Sequence, residues 1–177
     1  MKKIIIVFIL SIGFLQTSCK KGAETSEAKT TKENFSVEIV AQSSKKDDFA
    51  VYFTEDGTIN FDSNKVLWHG VKAGVNEKIV FDFPDEKLPT AIRLDFGMNK
   101  EQDSVVISKI KIAYMAENFE FNGSDFFNFF IADKQFKVKT DAKNGTLTLY
   151  KNGASYSTPY FYPRGELAEK IKAMTKD

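Results

Sequence analysis

An alternation of apolar and polar residues runs through most of the chain after Phe35 and constrains its fold more than any other feature. Side chains of a β-strand point to opposite faces in turn, so this period predicts strands with one buried face. The alternating segments recur every ~8–12 residues with turn-forming pairs such as Asp56-Gly57 and Asn144-Gly145 between them, which is typical of an all-β sandwich. The predicted strands lie within Phe35–Ala41, Phe49–Phe53, Ile59–Phe61, Val66–Val71, Ile79–Phe83, Ile92–Phe96, Ser104–Met115, Phe136–Thr140 and Thr146–Tyr150.

Two short helices are expected beside the strands. Ser124 or Asp125 is placed to cap a helix over Phe126–Phe130. Helical spacing of Leu167, Ile171 and Met174 predicts a helix over Gly165–Lys176 that covers an open end or edge of the sandwich. Within Ser104–Met115, the spacing predicts one shared face for Val106, Ile110, Ile112 and Tyr114. Most of the 17 phenylalanines are expected in the core.

Length and charge limit the organisation and the partners. The chain has 177 residues, which suits one domain, and its formal net charge is +1 from 25 basic and 24 acidic residues. Arg93 and Arg164 are its only arginines, and no basic excess exists, so nucleic acid is not an expected partner. With one cysteine and one histidine, neither an internal disulfide nor an ordinary Cys/His zinc site is available.

The N-terminal segment has the layout of a secretory signal. A basic start, Met1–Lys3, precedes the apolar run Ile4–Leu10, which is too short to span a bilayer. The run Leu15-Gln16-Thr17-Ser18-Cys19 resembles a bacterial lipoprotein signal, although Gln16 stands where that family prefers an aliphatic residue. The resemblance implies that residues 1–18 are removed and that Cys19 is acylated, which would anchor the protein to a membrane. The alternatives are a periplasmic protein cut near Ser18 or a cytosolic protein with a buried thiol.

The residues that follow predict a linker and a location. Residues 19–34 form the expected lipidated N-terminus and flexible tether, because Lys20–Asn34 contains no large apolar residue. The lipoprotein resemblance, with Lys20 rather than aspartate after the cysteine, implies the outer membrane of the cell envelope. Whether the domain, residues 35–177, faces the periplasm or the outside stays open.

A second resemblance concerns the middle of the chain. The segment Pro89–Tyr114 reads PTAIRLDFGMNKEQDSVVISKIKIAY, in which a strand ending Arg-Leu-Asp-Phe-Gly is followed by a polar loop and a strand of the form V-x-I-x-x-I-x-I. This pattern resembles the galactose-binding-like jelly rolls. The resemblance implies a jelly-roll-type β-sandwich and, since many members are carbohydrate-binding modules, a glycan partner.

Trp68, Arg93 and Asp95 are candidate ligand contacts on predicted strands. Trp68 is the only tryptophan, and sugar rings stack on aromatic planes. Since either face of Val66–Val71 suits the core, core packing is the simpler interpretation of Trp68 and a ligand platform is the alternative. Arg93 and Asp95 are two residues apart and therefore share a strand face. They form either an exposed ion pair of little energetic value or a pair in which Asp95 holds Arg93 against sugar hydroxyls or a sugar carboxylate.

Three tyrosines near the C-terminus form the second candidate platform. Tyr156, Tyr160 and Tyr162 alternate in a run interrupted by Pro159 and Pro163. Proline disfavours a central strand, so this run is expected at a sheet edge or in a loop. The simpler interpretation is a local apolar cover under the last helix.

Other polar residues carry weaker hypotheses. His69 lacks a recognisable catalytic partner and is expected to be a surface or hydrogen-bonded strand residue. Asp56, Asn60, Asp62 and Asn64 offer oxygen ligands to calcium but do not complete an EF-hand, and turn formation explains them equally. Lys45-Lys46-Asp47-Asp48 is expected to be a solvated loop. No cofactor or metal site is predicted.

These observations favour a lipid-anchored envelope protein whose β-sandwich binds carbohydrate without catalysis. The alternative is an accessory or structural lipoprotein that docks a larger envelope protein complex through an apolar rim. A carboxylate-dependent hydrolase ranks last, because a pair among 24 acidic residues has no diagnostic power and no nucleophile-elbow or phosphate-loop motif occurs.

Overall fold

The alternating segments form β-strands that pair into two antiparallel sheets. A computed structural model describes residues 34–132, 137–150 and 158–176. The strands within these ranges are β1 (Ser36–Ser43), β2 (Asp47–Thr54), β3 (Val66–Val71), β4 (Asn76–Asp82), β5 (Ala91–Phe96), β6 (Ser104–Tyr114), β7 (Glu117–Asn122), β8 (Lys137–Asp141), β9 (Thr146–Tyr150) and β10 (Tyr160–Phe161). The predicted signal, Cys19, the tether up to residue 33 and Tyr156 lie outside the described residues.

The two sheets differ in size. The six-stranded sheet has the order β4-β1-β6-β9-β8, with β7 also paired to β6. Because β6 has eleven residues, one of its edges pairs with β1 while the other pairs with β9 at residues 104–107 and with β7 at residues 109–114. The four-stranded sheet has the order β10-β5-β2-β3, which places β2 and β5 at its centre.

Inward-facing residues of both sheets form one apolar core. Val37 and Ile39 of β1 contribute to it, as do Val51 of β2 and Leu94 of β5, all 0–1% exposed. Phenylalanine rings join the sheets through edge contacts such as that of Phe53 on β2 with Phe83, the residue after β4, whose ring centroids are 5.0 Å apart. Full burial of such a side chain contributes ~1.5–3 kcal/mol. The expected β-sandwich is confirmed.

The first half of β6 has the opposite phase to the predicted one. The buried residues are Val105, Ile107, Ile110 and Ile112, so the prediction for Val106 is wrong. The pairing with β1 passes from Ile107 directly to Lys109, which makes Ser108 a β-bulge. One inserted residue reverses the alternation on its far side.

Short helices close one part of the sandwich. A 3-10 turn, Gly123–Asp125, leads into α1 (Phe126–Phe129), and α2 spans Gly165–Met174. Both are near their predicted positions, although neither Ser124 nor Asp125 makes a capping side-chain hydrogen bond at α1. Leu167 and Ile171 of α2 are buried in the core. Among the described residues, no helix has the length and apolar character needed to cross a membrane.

One further strand prediction is wrong, and one strand was not predicted. The segment Ile59–Phe61 is a loop, because the carboxylates of Asp56 and Asp62 accept hydrogen bonds from the backbone two residues later and form turns. Strand β7 was not predicted, because the turn before it contains no glycine and so gives no turn signal in the sequence. Met115 itself takes the left-handed conformation there, with φ of 50°.

Candidate binding site

The outward face of the four-stranded sheet aligns most of the predicted ligand contacts. Ala50 of β2 lies opposite Trp68 on one side and Asp95 on the other, and Asp95 lies opposite Tyr160. In the next outward row, Tyr52 lies between Val66 and Arg93. The antiparallel register therefore brings together residues from four strands that are far apart in sequence.

Trp68 faces outward, so the core-packing interpretation is wrong for this residue. It is 48% exposed, while Leu67 and Val71 on the opposite face of β3 pack toward the core. The Trp68 ring meets Tyr52 edge to face, with centroids 6.2 Å apart. Much of its surface is therefore available to a ligand.

Arg93 and Asp95 form a two-pronged ion pair on β5. Nε and Nη2 of Arg93 each donate to a different carboxylate oxygen of Asp95 at 2.8 Å. The side chains are only 17% and 9% exposed, which rules out the interpretation of a fully exposed pair. Paired hydrogen bonds between charged groups fix the relative orientation of both side chains.

Four aromatic rings surround the guanidinium of Arg93. Its central carbon lies 4.0 Å from the ring centroid of Tyr52 and 5.5–5.8 Å from those of Tyr160, Phe61 and Tyr162. A cation held over ring faces at such distances is stabilised by their quadrupoles. We refer to Tyr52, Phe61, Trp68, Tyr160 and Tyr162, with the central Arg93–Asp95 pair, as the aromatic platform.

Burial and hydrogen bonding have opposite effects on the pKa values of Arg93 and Asp95. Burial raises the pKa of Asp95, and the hydrogen bonds from Arg93 only partly offset that effect. Burial lowers the pKa of Arg93, but hydrogen bonding to Asp95 and interaction with Tyr162 outweigh it, so that pKa is raised. Arg93 therefore stays cationic while Asp95 protonates more readily than an ordinary aspartate.

The tyrosines at the platform's edge are held by backbone hydrogen bonds. Strand β10 pairs with the outer edge of β5, as expected for a proline-flanked segment. Phe96 N donates to Pro159 O at 2.7 Å, and Ile131 N donates to Tyr162 O at 2.9 Å. Phe161, between the two tyrosines, points into the core and is fully buried. Phe161 packs against Phe96 and Phe126 in the core, while Tyr160 and Tyr162 stay half-buried, so the interpretation of these two tyrosines as an apolar cover is wrong.

The loop that carries Phe61 is fixed at its base. Thr54 Oγ1 donates to Thr58 O at 2.6 Å, and Phe53 N donates to Lys65 O at 3.1 Å. Glu55 pairs with Lys65 at 3.0 Å, and this bond lowers the pKa of Glu55. Phe61 thereby reaches the Tyr162 ring, with centroids 5.6 Å apart. Sequence reasoning missed both Phe61, which was placed on a strand, and Tyr52.

Asp47 organises a second polar cluster, and the prediction that it lies in a solvated loop is wrong. It begins β2, is 6% exposed, and accepts hydrogen bonds from Asp48 N, Met98 N and Asn99 N at 2.6–3.0 Å. Gln102 Nε2 donates to its other oxygen at 2.7 Å. Gly97 has φ of +101°, and a Cβ there would overlap Asp47. The carboxylate is used in holding the loop after β5.

The remaining candidates do not join the platform. His69 faces the core side of β3, with its ring 5.9 Å from that of Phe81. The carboxylates of Asp56 and Asp62 cap turns, and no group of three or more His, Cys, Asp or Glu side chains suited to a metal occurs in the part of the chain that is described.

Three comparisons with known proteins give no match to this chain. Neither the protein-family models nor the curated proteins nor the solved structures include one that is significantly similar.

Proposed function

We propose that this β-sandwich binds carbohydrate without catalysis and that the aromatic platform is its binding surface. The observation that carries the proposal is the gathering of Trp68, four tyrosine or phenylalanine rings and the Arg93–Asp95 pair on one solvent-facing sheet surface. A solvent-facing sheet surface normally carries charged and small polar side chains. Aromatic rings there expose apolar area that a ligand would cover.

The chemistry of the platform suits a sugar chain. Pyranose rings present flat C–H faces, which pack on aromatic planes, and hydroxyl groups, which need hydrogen-bond partners nearby. Trp68 offers an exposed ring, and the phenol groups of Tyr160 and Tyr162 are able to donate and accept hydrogen bonds. The backbone bonds beneath these residues hold them in place, which lowers the entropic cost of binding.

The state of Asp95 supports binding rather than hydrolysis. Glycosidases use two carboxyl groups flanking the scissile bond. Both oxygens of Asp95 accept hydrogen bonds from Arg93 at 2.8 Å. That carboxylate is therefore committed to orienting Arg93 and is poorly placed to transfer a proton or attack a sugar.

We place this activity in the cell envelope, on a lipid-anchored jelly-roll domain. Support comes from the Leu15–Cys19 motif, the apolar run before it and the linker composition of Lys20–Asn34. Acylation of Cys19 would confine the domain to a surface, most simply the outer membrane. Confinement of many copies raises the effective concentration of binding sites and offsets the modest affinity of a small open platform.

A titration that follows tryptophan emission tests the proposal, since Trp68 is the only tryptophan. Full-length protein in detergent is titrated with a panel of envelope and plant polysaccharides. We expect a saturable shift with at least one glycan, and a loss of affinity of roughly tenfold or more in Tyr160→Ala, corresponding to ~1.4 kcal/mol.

Tyr150→Ala is the matched control, because Tyr150 is 39% exposed but lies on β9 of the other sheet. It is expected to bind as the wild type does. Equal losses in Tyr150→Ala and Tyr160→Ala, or no binding to any glycan, would overturn the proposal. Cross-linking in cells would then test the docking of an envelope protein complex.

A further inference from the structure

The charge of Arg93 is already compensated within the aromatic platform. Two of its donor groups, Nε and Nη2, bond to Asp95 at 2.8 Å, and its side chain is 17% exposed. That edge is one of the two edges of the guanidinium that can bind a carboxylate or sulfate with two parallel hydrogen bonds. With Asp95 in place, an anionic ligand is left with the Nη1–Nη2 edge, and there it meets the negative charge of Asp95, which is bonded to the same Nη2.

The rings around Arg93 add to this effect. Aromatic faces carry partial negative charge, and Tyr52 already directs its face toward the guanidinium at 4.0 Å. Phe61, Tyr160 and Tyr162 lie within 5.8 Å of the same cation. An anion that entered the platform would lose water and lie among ring faces that repel it.

We propose that the platform selects uncharged glycans and discriminates against acidic ones such as uronates and sulfated sugars, an inference that rests on the proposed carbohydrate-binding function. Neutral sugars need only C–H faces against Trp68 and hydrogen bonds from their hydroxyl groups to the tyrosines or to the N–H groups of Arg93 that do not bond to Asp95. Asp95 then acts as a specificity-determining residue that neutralises the only arginine of the platform.

The first test compares polysaccharides that share a backbone and differ in charge. Full-length protein is titrated with hydroxyethyl cellulose against carboxymethyl cellulose, and with laminarin against sulfated laminarin, while the emission of Trp68 is followed. For any backbone that binds, we expect the neutral form to bind at least roughly tenfold more tightly. Its affinity should change by less than about twofold between low and high salt, because no net charge is neutralised.

The second test removes the compensating charge. Asp95→Asn keeps the side-chain shape but leaves Arg93 uncompensated, so the charged polysaccharide is expected to gain about tenfold in affinity and to become sensitive to salt. Glu38→Gln is the control, since Glu38 pairs with Lys78 on the six-stranded sheet. It should leave the ratio of neutral to charged affinity unchanged. If Asp95→Asn fails to fold, the wild-type affinity ratio and its salt dependence still decide the matter.

The possible outcomes distinguish failure of the proposed selectivity from failure of the proposed carbohydrate binding. Binding of the charged form as tightly as the neutral form by the wild type would overturn the inference while the proposed function stands. An unchanged ratio in a folded Asp95→Asn variant would remove Asp95 as its cause and also overturn it. Failure of every polysaccharide to bind would overturn both proposals.

Discussion

The outward faces of the two sheets both carry ion pairs, but these pairs differ in how far they are exposed to solvent. On the six-stranded sheet, Lys78 pairs with Glu38 and Lys109 pairs with Glu120 at 3.0–3.1 Å, and the lysine side chains are 42–61% exposed. On the four-stranded sheet, the Arg93–Asp95 pair is 17% and 9% exposed because aromatic rings cover it. Both faces belong to antiparallel strands of one sandwich, so strand geometry does not explain the difference.

The two faces differ in how far their charged groups are hydrated. Exposed ion pairs keep a sheet face hydrated and contribute little to stability, typically ~0–1 kcal/mol. Rings of the aromatic platform cover a charged pair that would otherwise be hydrated, while Trp68 stays 48% exposed. Such an arrangement costs desolvation energy, and the inner faces of these strands already provide the core. Because the fold does not need this face to be buried, its aromatic cover is consistent with the ligand surface that we propose.

Breaking one ion pair on each face gives the largest expected contrast in stability. Arg93→Ala leaves the carboxylate of Asp95 buried without its partner and removes the cation from four rings, so the free energy of unfolding should fall by ~2–4 kcal/mol. Lys109→Ala should change it by less than ~0.5 kcal/mol. Denaturant unfolding followed by circular dichroism measures both. Similar losses for the two variants would show that the faces do not differ energetically.

A smaller effect is expected from the ring nearest to Arg93. Tyr52→Leu keeps an apolar side chain on β2 but removes the ring face at 4.0 Å, so we expect a loss of ~1 kcal/mol. In an Arg93→Met background the same substitution should cost close to nothing, which makes the coupling visible in a double-mutant cycle. Tyr150→Leu on the other sheet serves as the reference for loss of an exposed ring. Additive effects of Tyr52→Leu and Arg93→Met would contradict a cation–π contribution.

The local sequence pattern was sufficient to locate individual strands and to place two residues of one strand on the same face. Alternation located β3 and β5, and spacing of two residues placed Arg93 and Asp95 on one face. The direction of β3 was undetermined, because Val66–Val71 has comparable side chains on both faces. The register of β3 with β2 places Leu67, His69 and Val71 on the inner face, and Trp68 therefore points outward.

Features that depend on long-range register could not be read from the sequence. Tyr52 looked like an ordinary strand residue until β5 placed Arg93 opposite it. Asp47 resembled a solvated turn residue because its partners, Met98 to Gln102, come some fifty positions later. No feature of the sequence around Ser108 indicates the bulge, yet the bulge exchanges the inward and outward residues in one half of β6. Each case requires knowing which strands are neighbours.

The smallest expected effect concerns the pH dependence of stability. The covered carboxylate of Asp95 and the more exposed carboxylate of Glu55 should contribute to it with opposite signs. Burial raises the pKa of Asp95, whereas hydrogen bonds from Lys65 lower the pKa of Glu55. A raised folded-state pKa gives stability that is present below the unfolded-state value and lost as pH rises through the folded-state value. The contribution of Glu55 has the opposite sign, since it is present above its unfolded-state pKa and lost as pH falls through its lowered folded-state value.

Carboxyl carbon chemical shifts, measured by NMR across the acid range, test this directly. The Asp95 midpoint should lie above that of an ordinary aspartate, while the midpoint of Asp141, whose pKa is lowered by hydrogen bonds from Asn144, should lie below it. In Arg93→Met the Asp95 midpoint should rise further, because burial then acts without the compensating hydrogen bonds. A midpoint for Asp95 equal to that of Asp141 would mean that the platform does not shield the pair from water, and the contrast between the two sheet faces would lose its electrostatic basis.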